Sequence, residues 1–195
     1  MIFAPFSPFS SLSLRGRTIH ALAGALIMGV LIPSILVWWH FHGRPFDHLG
    51  AKDPDRIHLW FVKELIALLF LAGLFCGPGA LILGGILMVL QRKSAARFDA
   101  DEGNAIWSGV WMGAALAFIN LPGYFSFEFF ASSPVNVIRV FMLFLVTGST
   151  CGAWIAWQAY KEHHPERGIL PRFSLRTLIF LALGWGGLLW LFRPA

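Results

Sequence analysis

Apolar residues fall into five long blocks separated by short polar connectors. The first block, Thr18 to Trp39, is 22 residues long and closes on Trp38-Trp39. A helix of that length covers the roughly 30 Å of a bilayer's hydrocarbon layer. Pro33 marks a kink within it. Ahead of it, Met1 to Ser13 is broken by Pro5, Pro8 and several serines, which argues against a regular helix there. No signal-peptide pattern is evident, so an uncleaved first span is expected.

The second block runs from Ile57 to Leu90, broken only by His58 and by Lys63-Glu64. A straight helix of that length would be about 51 Å, too long for one crossing. Placing Lys63 and Glu64 at an interface leaves a span over Leu65 to Leu90, kinked at Gly77-Pro78-Gly79. The alternative is a re-entrant turn at the same glycines. Ala105–Leu121, Val137–Trp157 and Thr177–Phe192 give three further spans, the last bracketed by Arg176 and Arg193. The pattern therefore predicts an all-α, polytopic membrane helix bundle. It has five transmembrane helices (18–39, 65–90, 105–121, 137–157 and 177–192) in a single integral membrane domain over 1–195.

Small residues recur every fourth position within these spans: Ala21, Ala25 and Gly29; Gly73 and Gly77, continued by Ala80 and Gly84; Gly109 and Gly113; Gly148 and Gly152; Ala182 and Gly186. Such stripes let helix backbones approach closely in lipid, where apolar burial gives little driving force. They predict a compact bundle.

Composition agrees. Hydrophobic types make up 57% of the 195 residues and charged types 13%, about half the share usual for a soluble domain. An ordinary soluble domain, a disordered chain and a disulfide scaffold are excluded. The formal charge of +5 reads as span-flanking anchors rather than a nucleic-acid surface. With the N-terminus inside and the C-terminus outside, nine lysines and arginines face inward and six outward. That is the bias of the positive-inside rule. A bacterial inner-membrane location is expected, with the lipid bilayer and membrane protein subunits as partners. Cys76 and Cys151 lie in apolar runs without metal-ligand spacing and read as small buried hydrophobes.

Candidate chemistry concentrates between the first two spans. His40, His42, Asp47, His48 and His58 offer an imidazole and carboxylate set that suits zinc, copper or iron. The bland alternative is a wet connector at headgroup level. Between spans three and four, Tyr124, Phe125, Phe127, Phe129 and Phe130 surround Glu128 and predict a wedge at the membrane surface. Arg139, one turn inside span four, needs a carboxylate, carbonyl, phosphate or water. Glu64, Glu128 and Arg139 together form a candidate site for a lipid-like or anionic substrate. On the other side, Glu162, His163, His164 and Glu166 are weaker metal candidates, because Pro165 ends the helix and scatters their directions. Asp99, Asp101, Glu102, Gly103 and Asn104 read as a solvated turn. A bis-histidine haem is disfavoured, since no histidine lies deep in a span.

No phosphate loop, dinucleotide fingerprint, HExxH or GxSxG motif occurs. The leading expectation is a small accessory or assembly subunit of an inner-membrane complex. The alternatives are a membrane enzyme or carrier for a lipid-like substrate at the outer face, and a metal- or haem-binding redox protein.

Overall fold

The computed structural model describes residues 14–42, 54–95, 101–119, 134–165 and 171–193. They form α1 (Leu14–Leu26), a π-helical turn (Ile27–Leu31), α2 (Ile32–His42), α3 (Pro54–Ala95), α4 (Glu102–Ile119), α5 (Pro134–His163) and α6 (Leu175–Leu191). An all-α fold is therefore observed.

The count of five membrane spans is overturned, and with it the orientation built on that count. By length and composition, only two helices among the described residues are long and apolar enough to cross a membrane, over Arg15–His40 and Val135–His163. A third is reached if the bent pair Leu65–Leu74 and Cys76–Ser94 counts as one span. The other two expected spans fail for different reasons. Helix α4 starts on Glu102, Gly103 and Asn104 and carries Trp107 and Ser108 in its next turns, which dilutes its apolar character. Helix α6 has only 17 residues, about 26 Å of rise.

Local chemistry explains the helix ends. Asp101 caps α4: its carboxylate accepts from the Gly103 amide at 3.0 Å and from the Asn104 side chain at 2.6 Å. The expected solvated turn is thus a helix start. Pro134 opens α5, where a missing amide hydrogen does no harm. Ser174 caps α6, with its hydroxyl accepting from the Thr177 amide at 3.3 Å. Helix α5 ends at His163, two residues before Pro165, as the proline requires.

Two prolines shape the long helices. Pro33 has no amide hydrogen for the Gly29 carbonyl. The chain answers with the π-helical turn, in which the Ile32 amide donates to Ile27. Pro78 would clash with the Leu74 carbonyl four residues back. There the axis bends by 52°, between Leu74 and Cys76, while the helix continues through Pro78. The kink is thus found, one turn ahead of the Gly77-Pro78-Gly79 sequence that causes it.

Helix α5 is the hub of the bundle and touches every other helix. Its most extensive contact is with α4, and glycines make that contact. A methyl group added at Gly113 or Gly152 would strike the facing backbone, and one at Gly109 would strike both Ala156 and the Gly152 carbonyl. The second seam joins α1 to α3, where Gly84 meets Ala25 and Gly29 meets Ala80. Gly73, Gly77 and Gly186 face open space, so the four-residue stripes of α3's first half and of α6 go unused within the chain. Three apolar clusters fill the interior. Ala21, Leu87, Met88 and Ile155 centre the first. Leu36, Leu143, Leu188 and Phe192 centre the second, and Ile106, Val110, Ala153 and Trp157 the third.

Candidate functional site: two polar helix ends and an apolar cavity between them

One end of the bundle gathers the start of α1, the close of α3 and α5, and the starts of α4 and α6. Arg92 is its centre. Its Nε donates to Glu162 Oε2 at 2.7 Å, and its Nη2 donates to Glu162 Oε1 at 2.9 Å and to Thr18 Oγ1 at 2.6 Å. This fork is the two-pronged pairing that guanidinium and carboxylate geometry favour. It joins α1, α3 and α5. The Glu162 side chain is only 5% exposed, and both its carboxylate oxygens accept from the arginine. Around the pair, Arg17, Gln91, Gln158 and Lys161 are also buried, and the Gln91 amide reaches the Met112 sulfur at 3.5 Å. Buried Glu102 accepts from the Arg172 amide at 3.2 Å. Arg176 donates to the Asn104 side chain and lies over the Trp107 ring at 5.1 Å.

Sequence reasoning treated Arg92 as an anchor and Glu162 as a weak metal candidate with His163, His164 and Glu166. The structure brings Glu162 to Arg92 instead. His163 Nδ1 donates to its own helix at Ala159, 3.1 Å away, and His164 stacks on Tyr160. Glu166 lies outside the described residues. One signal for the pair was available: Arg92 and Glu162 carry opposite charges and close two apolar runs at the same end.

The opposite end holds the sequence-derived candidates that can be placed. Arg139 Nε donates to the Leu191 carbonyl at 2.9 Å, and its Nη1 donates to Asn136 Oδ1 at 2.9 Å. His40 Nδ1 donates to the Arg193 carbonyl at 3.3 Å, and its ring meets Phe192 edge-on. Arg139 thus serves the last carbonyl of α6, which lacks a partner within the helix, and His40 holds the chain two residues beyond that helix's end. Of the remaining candidates, Asp47, His48 and Glu128 lie outside the described residues, as do the side chains of His42, His58 and Glu64. Among the described residues, no group of three or more His, Cys, Asp or Glu side chains is placed to hold a metal ion.

Between the two ends lies a cavity of about 290 Å³, bounded by α1, the π-helical turn, α2, α3, α4 and α5. Each irregularity of the fold borders it: Met28 and Gly29 of the π-helical turn, Pro33, and the stretch around Gly79 beyond the bend. Both thiols, Cys76 and Cys151, line it and are not disulfide-bonded. Thr147 is the one hydroxyl among the described residues of its wall, and that hydroxyl donates to the Leu143 carbonyl at 2.6 Å. Nothing in the sequence reading located this cavity. The only hint was that Pro33, Gly79 and the glycines of spans three and four fall at similar depth.

Chemically, the polar ends fasten helices together, and the cavity offers an apolar enclosure. Comparison with protein-family models, with curated proteins and with solved structures gave no match.

Proposed function

We propose that this chain is a small membrane-embedded accessory or assembly subunit that works through its helix faces. The observation that carries this reading is the use to which its best-placed ionisable groups are put. Arg92 and Glu162 clasp three helices, while Arg139 bonds the last carbonyl of a fourth and His40 the chain just beyond it. A catalytic group must be positioned against a substrate, with its proton or charge available for the reaction. These four groups are instead turned toward the protein's own backbone and side chains. Large apolar residues such as Ile66, Phe70, Leu74, Leu178 and Leu183 are left on the outside, where lipid or a neighbouring subunit covers them. A bacterial inner membrane is the proposed location.

The test is site-specific photocrosslinking of the full chain in its native membrane, from Phe70, Ile82, Ile138 and Leu183, followed by native mass spectrometry. One membrane protein, crosslinked from one face and retained at fixed stoichiometry, is expected. A chain that crosslinks to no protein from any of the four positions would refute the subunit role.

A second reading keeps Glu64, Glu128 and Arg139 as a site for a lipid-like or anionic substrate. It is favoured by one observation, that His40 and Arg139 bond carbonyls two residues apart, at Arg193 and Leu191, where α6 ends. Turnover of a phospholipid by the isolated chain, lost in Arg139→Ala but kept in Arg92→Met, would move the function there.

A further inference from the structure

We propose that the mid-bundle cavity binds one hydrocarbon chain, the acyl tail of a membrane phospholipid, which enters between α3 and α4. This goes beyond the subunit reading and stands whether or not a partner protein exists.

The wall chemistry selects the ligand class. The lining is made of aliphatic side chains, Phe144, glycines and the two thiols, and the Thr147 hydroxyl hydrogen is already donated to Leu143. A polar ligand would lose its hydrogen bonds to water and find few replacements. A hydrocarbon loses nothing of that kind. Its gain is contact, because atoms lining an empty space lack dispersion partners on one side. At about 30 Å³ per small group, the share of one water in the liquid, the volume takes roughly ten carbons. That is a stretch of one acyl chain and too little for a headgroup as well.

The cavity is held open by backbone geometry. The π-helical turn, the bend ahead of Pro78 and the α4–α5 glycine seam set where the helices stand. Gly79, Gly113 and Gly148 contribute wall without side chains. Position selects the source of the ligand. Gly29 and Cys151 lie near the middle of the two membrane-length helices, Arg15–His40 and Val135–His163. Cys76, Ala80 and Leu83 of α3 and Leu116 and Ala117 of α4 line the cavity and are half-buried, and the proposed entry lies between these two helices. In a bilayer that depth is hydrocarbon, so the molecule that meets the mouth is a lipid tail.

The test uses the full chain in nanodiscs of phosphatidylcholine doped with a phosphatidylcholine that carries a diazirine on one acyl chain. Crosslinks are mapped by mass spectrometry. Several-fold enrichment at Cys76, Leu83 and Leu116 over the outward Ile138 and Leu183 is expected, with loss of that enrichment in the cavity-filling variant Leu116→Trp. Equal labelling of lining and outer positions would overturn the proposal. A second readout needs no substitution in the bundle. Alkylation of Cys151 by N-ethylmaleimide in detergent should slow several-fold when didecanoylphosphatidylcholine is added. An unchanged rate would overturn the proposal. Slowing by a linear isoprenoid alcohol but not by the phospholipid would overturn the assignment to an acyl tail.

Discussion

Arg139 holds Leu191 by its backbone: the guanidinium Nε of one donates to the carbonyl oxygen of the other at 2.9 Å, across 52 positions of sequence. An arginine on an apolar helix is costly unless its donors are satisfied. Here it repairs a helix end that would otherwise expose carbonyls to an apolar medium. Arg139→Ala should destabilise the purified protein by about 1.5–3 kcal/mol, the usual worth of a charge-assisted hydrogen bond. Arg139→Lys should recover only part of that, because an ammonium cannot reproduce the planar fork that reaches both Leu191 and Asn136. Thermal melts in detergent measure the loss, and hydrogen exchange in the last turn of α6 locates it.

The glycines divide into two groups with opposite expected responses. Gly113→Ala and Gly152→Ala push a methyl into facing backbone and should destabilise by about 3 kcal/mol, the upper range for overpacking. Gly73→Ala and Gly186→Ala meet open space and should be neutral or stabilise by about 0.5–1 kcal/mol through helix propensity. Melting temperatures of the four variants, taken side by side, check the division.

Removing one partner of the Arg92–Glu162 pair should hurt more than removing both. Arg92→Met leaves a carboxylate that is 5% exposed without its counter-charge, a loss of about 3 kcal/mol. The double variant Arg92→Met with Glu162→Met should regain most of it, since apolar replacements of a buried pair are often tolerated. Thr18→Ala, which deletes a single bond to Arg92, should cost about 1 kcal/mol. A double-mutant cycle by chemical denaturation gives the coupling directly.

Pro78→Ala should straighten α3. With spin labels at the exposed positions Ile66 and Ile86, a straight helix places the two backbones about 30 Å apart. The 52° bend shortens that to about 27 Å. Pulsed electron resonance should register the lengthening in the variant. An unchanged distance would mean that neighbouring helices, and not the proline, hold the bend.

Metal or haem binding by the sequence-derived histidine set has a simple readout. Elemental analysis and an absorption spectrum of the purified chain should show no stoichiometric metal and no haem band. His40→Ala should change neither, but should lower the melting temperature through loss of its contacts to Arg193 and Phe192. A metal that disappears in His40→Ala or His42→Ala would restore the redox reading.

Features that depend on neighbours in sequence were legible. The four-residue stripes of span one and of spans three and four, Gly109 and Gly113 facing Gly148 and Gly152, became real seams, because close approach requires only the absence of side chains. The bend was legible too, although it falls at Leu74 because a proline ring acts on the carbonyl four residues earlier. Asp101 was misread as solvated turn, since a cap and a turn use the same residue types. The partners of Glu102 and Glu162 lie 70 positions away, a distance at which no local pattern speaks. The span count overshot because a run of apolar letters does not weigh the tryptophan, serine and asparagine that dilute α4, nor the missing turn of α6. Trp157, which closes the fourth expected span, is buried, with its indole nitrogen unpaired among the described residues.

The π-helical turn at Ile27–Leu31 also works as a phase shifter. Before it, the rod addresses α3 and α5 through Ala21 and Ala25; after it, the same rod stays against α3 and adds, through Leu36, a second cluster with α5 and α6. One residue of a helix is worth about 100° of rotation. Deleting a single residue within the turn would therefore leave the first half docked and swing the second half by more than a quarter of a revolution. Leu36 would leave its cluster, and His40 would lose the Arg193 carbonyl. A one-residue difference in chain length at this point is thus a device for aiming one continuous helix at two separate targets.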